Sequence, residues 1–266
     1  MSGPAGCKIE DFRKPRLRKC PFDLNSISWK DAKVLGCGVD GWVWRVHFGD
    51  RGPFALKLFW VADRPVEEEY FAVQQECQAV AHLQMMQAAV DQANREGGTH
   101  PVLLYPDPKT HEDAMANVFA FAEENRLNPP GPEARERDRL VPITSIPRMA
   151  KCYGWLRFNT DEILPRIPRK LRPRGVVIEK AERYIEPGKE HIAIVYEYIE
   201  DGENDPSKVE EFLEFMYLAG FCFASSHGRN WKHSILVDHS DFIGIASYGW
   251  HRSRYRKLPV SYVLRT

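Results

Sequence analysis

Gly36-Cys37-Gly38-Val39-Asp40-Gly41-Trp42-Val43, with Phe54-Ala55-Leu56-Lys57 shortly after it, decides how this chain folds. The spacing of Gly36, Gly38 and Gly41 also occurs in dinucleotide-binding turns, but such a turn must open directly into a helix whose N-terminus faces the pyrophosphate. Here Trp42-Val43-Trp44-Arg45-Val46-His47-Phe48 follows, alternating and rich in aromatic and branched residues, which is strand chemistry. Gly49-Asp50-Arg51-Gly52 then makes a turn, and Phe54 to Trp60 reads as the next strand. The order is therefore strand, glycine turn, strand, and a third strand carrying Lys57. Glycines without Cβ atoms let backbone come close to a ligand, and a lysine supplies a point charge for phosphate oxygens. A plain three-stranded meander with a glycine hairpin is the other reading of the same residues.

The elements that follow narrow the choice. Asp63-Arg64-Pro65 reads as a helix start, with a capping residue and a proline in the first turn. Val66, Tyr70, Val73, Cys77 and Val80 then recur at helical spacing as a buried stripe, with Glu76 beside it and Glu69 on the same face. Glu67-Glu68-Glu69 by itself is what a solvated acidic helix start looks like. Met149 to Leu156 and His191 to Ile199 read as two more strands, and Ser207-Lys208-Val209-Glu210 as a capping box. That box opens a helix through Phe212, Met216, Ala219 and Phe223 that ends near Gly228.

Taken in order, residues from about 27 to 250 resemble a protein kinase. The resemblance implies an α+β fold with a five-stranded antiparallel N-lobe sheet, a helix C, and a truncated C-lobe built from helix E and a catalytic-loop hairpin. It divides the chain into a basic flexible arm (1–26), an N-lobe-like region (27–200) with insertions at about 88–146 and 159–190, and a short C-lobe (201–266). It further implies that Gly36, Gly38, Gly41, Val43, Ala55, Lys57, Glu76, Tyr196 and Tyr198 form a vestigial nucleotide site. Glu76 stands where a helix-C glutamate pairs with the lysine, with Glu69 the second candidate. Tyr196 fills the gatekeeper position, and Glu197 to Tyr198 supply the backbone that would meet an adenine.

The same alignment removes the catalytic groups. Ser234-Ile235-Leu236-Val237-Asp238 matches the run that follows a kinase catalytic loop, so the metal-binding asparagine position is Ser234 and the catalytic aspartate position is Arg229. Ser247-Tyr248-Gly249 stands in place of Asp-Phe-Gly. Magnesium beside phosphates needs hard oxygen ligands, commonly carboxylates, and a serine hydroxyl has no full charge to offset desolvation of the ion. The chain ends at Thr266, leaving no room for an activation segment or the later large-lobe helices. Asp40 at the glycine-turn tip disfavours triphosphate, since two unit charges about 4 Å apart repel by roughly 1 kcal/mol in water. These losses imply a pseudokinase with no resident cofactor, no catalytic residue and no metal, ATP being the one ligand the remaining residues suit. Asp238 and Asp241 with His233 and His239 make an acidic, imidazole-rich patch without a recognised metal spacing. The plainer reading puts both aspartates in a turn, capping backbone groups, and His227 at the negative end of a helix dipole.

Composition agrees with an intracellular globular protein. The 266 residues are 43% hydrophobic, and 37 Lys+Arg balance 37 Asp+Glu. The six cysteines are dispersed, without paired metal spacing, which fits a reducing compartment. No apolar run is long enough for a membrane span, and no hydrophobic signal opens the chain. The even charge hides local excess. Lys8, Arg13, Lys14, Arg16, Arg18 and Lys19 crowd the arm, which reads as a nuclear import signal or a solvated tail, and less readily as a nucleic-acid contact. Arg166, Arg169, Lys170, Arg172 and Arg174 are threaded with prolines in the second insertion, and Arg252, Arg254, Arg256 and Lys257 form a third cluster. No base-reading motif accompanies them. In the first insertion, Glu112 to Arg126 reads as a helix presenting Met115, Val118, Phe119 and Phe121, followed by a charged loop from Asn128 to Arg139. Insertions of this length are usually functional or disordered. The aromatic helix either binds a protein partner or packs on its own lobe.

A narrower resemblance rests on Asn230 to Asp241 and Tyr248-Gly249-Trp250-His251. This run is similar to short kinase-like proteins of filamentous fungi that form an inner-kinetochore complex subunit family. It implies a nuclear, chromosome-associated, protein-binding scaffold. The alternatives are a residual ATP-binding protein or unconventional phosphotransferase using Lys57, Glu76 and Asp238 or Asp241, and a nucleic-acid-associated basic protein.

Overall fold

The computed structural model describes residues 6–65, 69–129, 139–178, 180–224 and 228–264. In chain order the strands are β1 (Lys33–Cys37), β2 (Gly41–Phe48), β3 (Arg51–Phe59), β4 (Val102–Leu104), β5 (Val141–Ile143), β6 (Cys152–Asn159), β7 (Val176–Ile178), β8 (Ala181–Arg183), β9 (Glu190–Glu197), β10 (Cys222–Phe223), β11 (Trp231–Lys232), β12 (Ile235–Leu236) and β13 (Phe242–Ile243). The helices are α1 (Ile9–Arg13), α2 (Ala72–Arg95), α3 (His111–Ala120), α4 (Glu123–Leu127), α5 (Thr160–Ile163), α6 (Pro206–Leu218) and α7 (Val260–Val263). The chain is mixed α+β and divides into two compact units. The first comprises Leu17–Gln74 and Ala150–Ile199; the second comprises Ser2–Arg16, Gln75–Met149 and Glu200–Thr266. The partition changes unit at Ile199/Glu200, next to the expected boundary, but it also groups most of α2 and the described residues of the first insertion with the C-terminal segment.

The first unit is built on a five-stranded antiparallel sheet in the order β1-β2-β3-β9-β6. Period-two alternation puts Trp42, Trp44, Val46, Leu56, Leu58, Leu156, Phe158, Ala193 and Val195 on one buried face. Trp44 is its centre. It stacks on Phe158 at 6.2 Å, meets Trp29 edge-on at 5.6 Å, and donates its indole N–H to the Leu171 carbonyl at 2.7 Å.

What covers this face corrects the expectation of a flexible arm. Leu17, Cys20, Phe22, Leu24, Ile27 and Trp29 are buried against it, joined by Ile163, Ile167 and Leu171 from the second insertion. The basic side chains of Arg16 and Lys19 point outward, so apolar and basic residues alternate along the arm. Trp155 N–H donates to Arg18 O (3.0 Å), Cys20 N–H to Trp155 O (2.8 Å), and the Trp155 indole to Leu17 O (3.0 Å). The arm thus closes the β6 edge, an open row of donors and acceptors that would otherwise invite pairing with another chain.

In the second unit, α2, α3 and α6 share a core that includes Met86, Val90, Val118, Phe121, Phe212 and Met216, joined by Phe12 of α1. Several expected boundaries move. The helix expected to start at Asp63-Arg64-Pro65 begins at Ala72, and Val66 lies outside the described residues. Tyr70 is not part of a buried helical stripe. It is exposed, and its hydroxyl donates to Asp40 Oδ1 at 3.0 Å, a tertiary bond that overrides the local helix signal. The predicted helix from Glu112 to Arg126 is two helices, capped by Thr110 and broken at Phe121-Ala122, both fully buried. With Ala114, Val118 and Phe121 inside, this insertion packs in the core of the second unit with the C-terminal segment, not on the N-lobe-like region that it interrupts. Residues 130–138 of the following loop lie outside the described residues, as does His227.

The cap of α6 is Asp205, accepting from Ser207 N–H with Pro206 in the first turn, not Ser207. The helix ends at Leu218, well before Gly228, because Gly220 takes φ +81, where a Cβ would also stand 2.9 Å from Val118 Cγ2. Phe223 accordingly belongs to a strand, β10, paired with β13.

Candidate functional site

All the expected site residues except Glu76 lie in the first unit. The β2–β3–β9 register sets Val43 opposite Lys57 and Lys57 opposite Ile194, with Ala55 opposite Tyr196. Residues directly opposite share a face, so Val43, Ala55, Lys57 and Tyr196 project together, away from the tryptophan core. Lys57 is buried and its Nζ stands 5.4 Å from the Phe59 ring centroid. Tyr196 is buried, and Tyr198 is half-buried with the Arg45 guanidinium 5.3 Å over its ring. The Glu197 N–H, part of the backbone expected to meet an adenine, donates to Lys151 O at 2.7 Å, and the Glu197 carboxylate accepts from Lys151 N–H at 3.1 Å. Glu76 is buried on α2 in the second unit. Burial first, and the Glu76 charge second, push the neighbouring Cys77 thiol up to about 12.

The three glycines do different work. An ideal Cβ on Gly41 would stand 2.3 Å from the Leu58 carbonyl oxygen, so close β2–β3 approach alone demands glycine there. At Gly36 and Gly38 a Cβ would meet nothing within 4 Å, and neither residue has a positive φ. No internal packing requires glycine at those two positions. The expected outcome is that Gly36→Ala and Gly38→Ala each change stability by less than about 1 kcal/mol. Gly41→Ala should cost more than 2 kcal/mol, since backbone must move. Chemical denaturation of the three variants checks this.

A clasp around the turn was not anticipated. The Trp60 indole donates to Gly38 O (2.9 Å), Trp60 N–H to Asp40 O (3.1 Å), and Tyr70 to the Asp40 carboxylate. Gly38 N–H closes the hairpin on Gly41 O at 2.9 Å. Asp40, read from sequence as a charge repelling phosphate, is thus engaged with Tyr70. An aromatic residue directly after β3 was the only sequence trace of this arrangement.

In the second unit, Arg229 lies in a short 3-10 turn (Gly228–Asn230), and β11 and β12 form a hairpin whose turn residues His233 and Ser234 both have positive φ. Ser234 is buried. Its hydroxyl accepts from Asp205 N–H at 2.8 Å and its own N–H donates to Asn204 Oδ1 at 2.7 Å, fastening the hairpin to the entry of α6. Asp238 accepts from the N–H and hydroxyl of Ser240, and Asp241 accepts from Asn230 Nδ2 at 3.0 Å. Asp238 thus caps a backbone N–H as expected of a turn aspartate, whereas the bond to Asp241 comes from a side-chain amide. The His233 ring lies over Gly202, where any Cβ would collide with it. Among the described residues no group of three or more His, Cys, Asp or Glu side chains is placed to hold a metal ion. At the expected Asp-Phe-Gly position, Ser247 N–H donates to Gly244 O at 2.9 Å and Tyr248 is exposed. No helix among the described residues is long and apolar enough to cross a membrane.

Comparison with protein-family models, curated proteins and solved structures gives no match to this chain.

Proposed function

We propose that this chain is a protein-kinase-like protein that does not transfer phosphate and acts as a protein-binding scaffold, with the nuclear, kinetochore-associated setting that its narrower sequence resemblance implies. The kinase-like reading draws support from the five-stranded antiparallel sheet, with a glycine turn between its first two strands and Lys57 on the third, and from the long helix that follows. The observation that carries the loss of catalysis is Ser234. At the position of a metal-binding asparagine, both its hydroxyl and its N–H are engaged by Asn204 and Asp205 in holding the β11–β12 hairpin to α6. Arg229 and Ser247 add no carboxylate at the other two positions.

One observation favours a second reading, in which nucleotide binding survives without transfer: Gly36 and Gly38 are glycines that internal packing does not require. A thermal-shift titration with ATP, with and without magnesium, separates the two. The scaffold reading expects no stabilisation with magnesium beyond that seen without it. A magnesium-independent rise in Tm that Lys57→Ala removes supports retained binding. A magnesium-dependent rise lost in Lys57→Ala overturns the proposal.

A further inference from the structure

We infer that the second insertion carries a single-stranded nucleic-acid contact, with phosphates held by Arg169, Lys170 and Arg174 and a base stacked on Tyr184. This inference does not rest on the kinase-like reading. Some exposed cations of this protein have a carboxylate partner: Lys14 has Glu10, Arg157 has Glu190, and Lys257 has Glu214. Arg169, Lys170, Arg174 and Lys180 are exposed and, among the described residues, make no side-chain hydrogen bond or ion pair. Four unneutralised cations within twelve residues form an electrostatic footprint for a polyanion.

The backbone that presents them is firmly held. Ile163, Ile167 and Leu171 are buried in the sheet core, and Leu171 O accepts the Trp44 indole N–H. Arg172 is turned back to donate to Ile167 O (2.8 Å) and Pro165 O (3.2 Å), and Arg166 donates to the Asn25 backbone and side-chain oxygens. Two of the five arginine and lysine residues in the cluster therefore fix the segment, and three face outward. A preorganised array of this kind has little chain entropy left to lose on binding.

The hairpin β7–β8, which follows Arg174 directly in the chain, adds an apolar and aromatic surface. Val177 pairs with Glu182, and Tyr184 follows on the same face. Val177 is 74% exposed and Tyr184 51% exposed. Gly175 lies against Tyr184, a Cβ there standing 3.9 Å from the Tyr184 Cβ, so the backbone that carries Arg174 runs beside the backbone that carries Tyr184. Glu182, also exposed, is the one acidic group on that face among the described residues. An aromatic platform beside a positive track is how single strands are bound without sequence preference, each base having a π-face to stack. A duplex, its bases already stacked, would use the cations and leave Tyr184 unused.

Fluorescence anisotropy with labelled oligo-dT of about 16 nucleotides, over a salt series, tests this, with a duplex of equal length and phosphatidylserine vesicles as competitors. The expected slope of log K against log salt is about −2, from roughly −0.7 for each of three phosphates. Arg169→Ala/Lys170→Ala/Arg174→Ala should flatten that slope and weaken binding at least about tenfold. Tyr184→Ala should weaken it about tenfold with the slope unchanged, since stacking releases no counterion. All four side chains are exposed and, among the described residues, unpaired, so near-UV circular dichroism and Tm should be unchanged in both variants. Equal affinity for duplex with no effect of Tyr184→Ala would overturn the single-strand assignment. Full displacement by vesicles, or a triple variant that binds like the unaltered protein, would overturn the site.

Discussion

Trp44→Ala is expected to cost about 4 kcal/mol or more, a large fraction of a typical domain stability of about 5–15 kcal/mol. Trp44 is fully buried, wedged between Trp29, Trp42 and Phe158, and is the donor to Leu171 O. Truncation opens a cavity under the middle of the sheet and strands a buried carbonyl, and the two losses fall on the same contact between sheet and cover. Trp44→Phe keeps much of the volume but not the donor, and should cost about 1–3 kcal/mol. Urea denaturation followed by near-UV circular dichroism gives both values. A loss under about 1 kcal/mol for Trp44→Ala would mean that the arm and the second insertion are not cohesive with the sheet.

Gly154→Ala should have the next largest effect, about 3 kcal/mol. Gly154 takes φ +116, and a Cβ there would stand 2.4 Å from Arg18 O and 2.7 Å from Cys20 N, both backbone atoms that cannot rotate away. Relief requires the arm to lift from the β6 edge. That breaks the two backbone bonds between Trp155 and the arm and the indole bond to Leu17 O, each worth about 1 kcal/mol net. Limited trypsinolysis reads the result directly. Arg16, Arg18 and Lys19 should be protected in the unaltered protein and cut early in the variant. Equal digestion patterns would show that the arm is not seated as described.

These two residues also mark where the sequence could be read and where it could not. The stretch from Gly36 to Lys57 was legible because period-two alternation and a glycine turn are local signals, and the strands fall close to where they were expected. The arm was misread because six basic residues dominate its composition, while the pattern Leu17, Cys20, Phe22, Leu24 has meaning only once a sheet exists to receive it. Gly154 gave no local sign that its missing Cβ makes room for residue 18. Similarly, Gly36, Gly38 and Gly41 look alike in sequence, yet only Gly41 is enforced by its neighbours. Ser234 was read as a missing metal ligand; that its hydroxyl would cap the loop before α6 depends on Asn204 and Asp205, which are distant in sequence. Helix ends at Ala72 and Leu218 moved for the same kind of reason, through Tyr70 bonding Asp40 and Gly220 closing against Val118.

The glycine turn is held by its own neighbours. Trp60 holds it from the end of β3 and Tyr70 holds its tip by the Asp40 carboxylate, so the turn is fastened from within its own unit.

Incubation with γ-labelled ATP and magnesium or manganese, followed by measurement of phosphate release and of label on the protein, tests the central proposal most directly. The expected result is no turnover and no incorporated label above a Lys57→Ala control, with either metal. Metal-dependent hydrolysis or label transfer that Lys57→Ala abolishes would contradict it, and would place an active phosphotransfer centre on the face shared by Val43, Ala55, Lys57 and Tyr196.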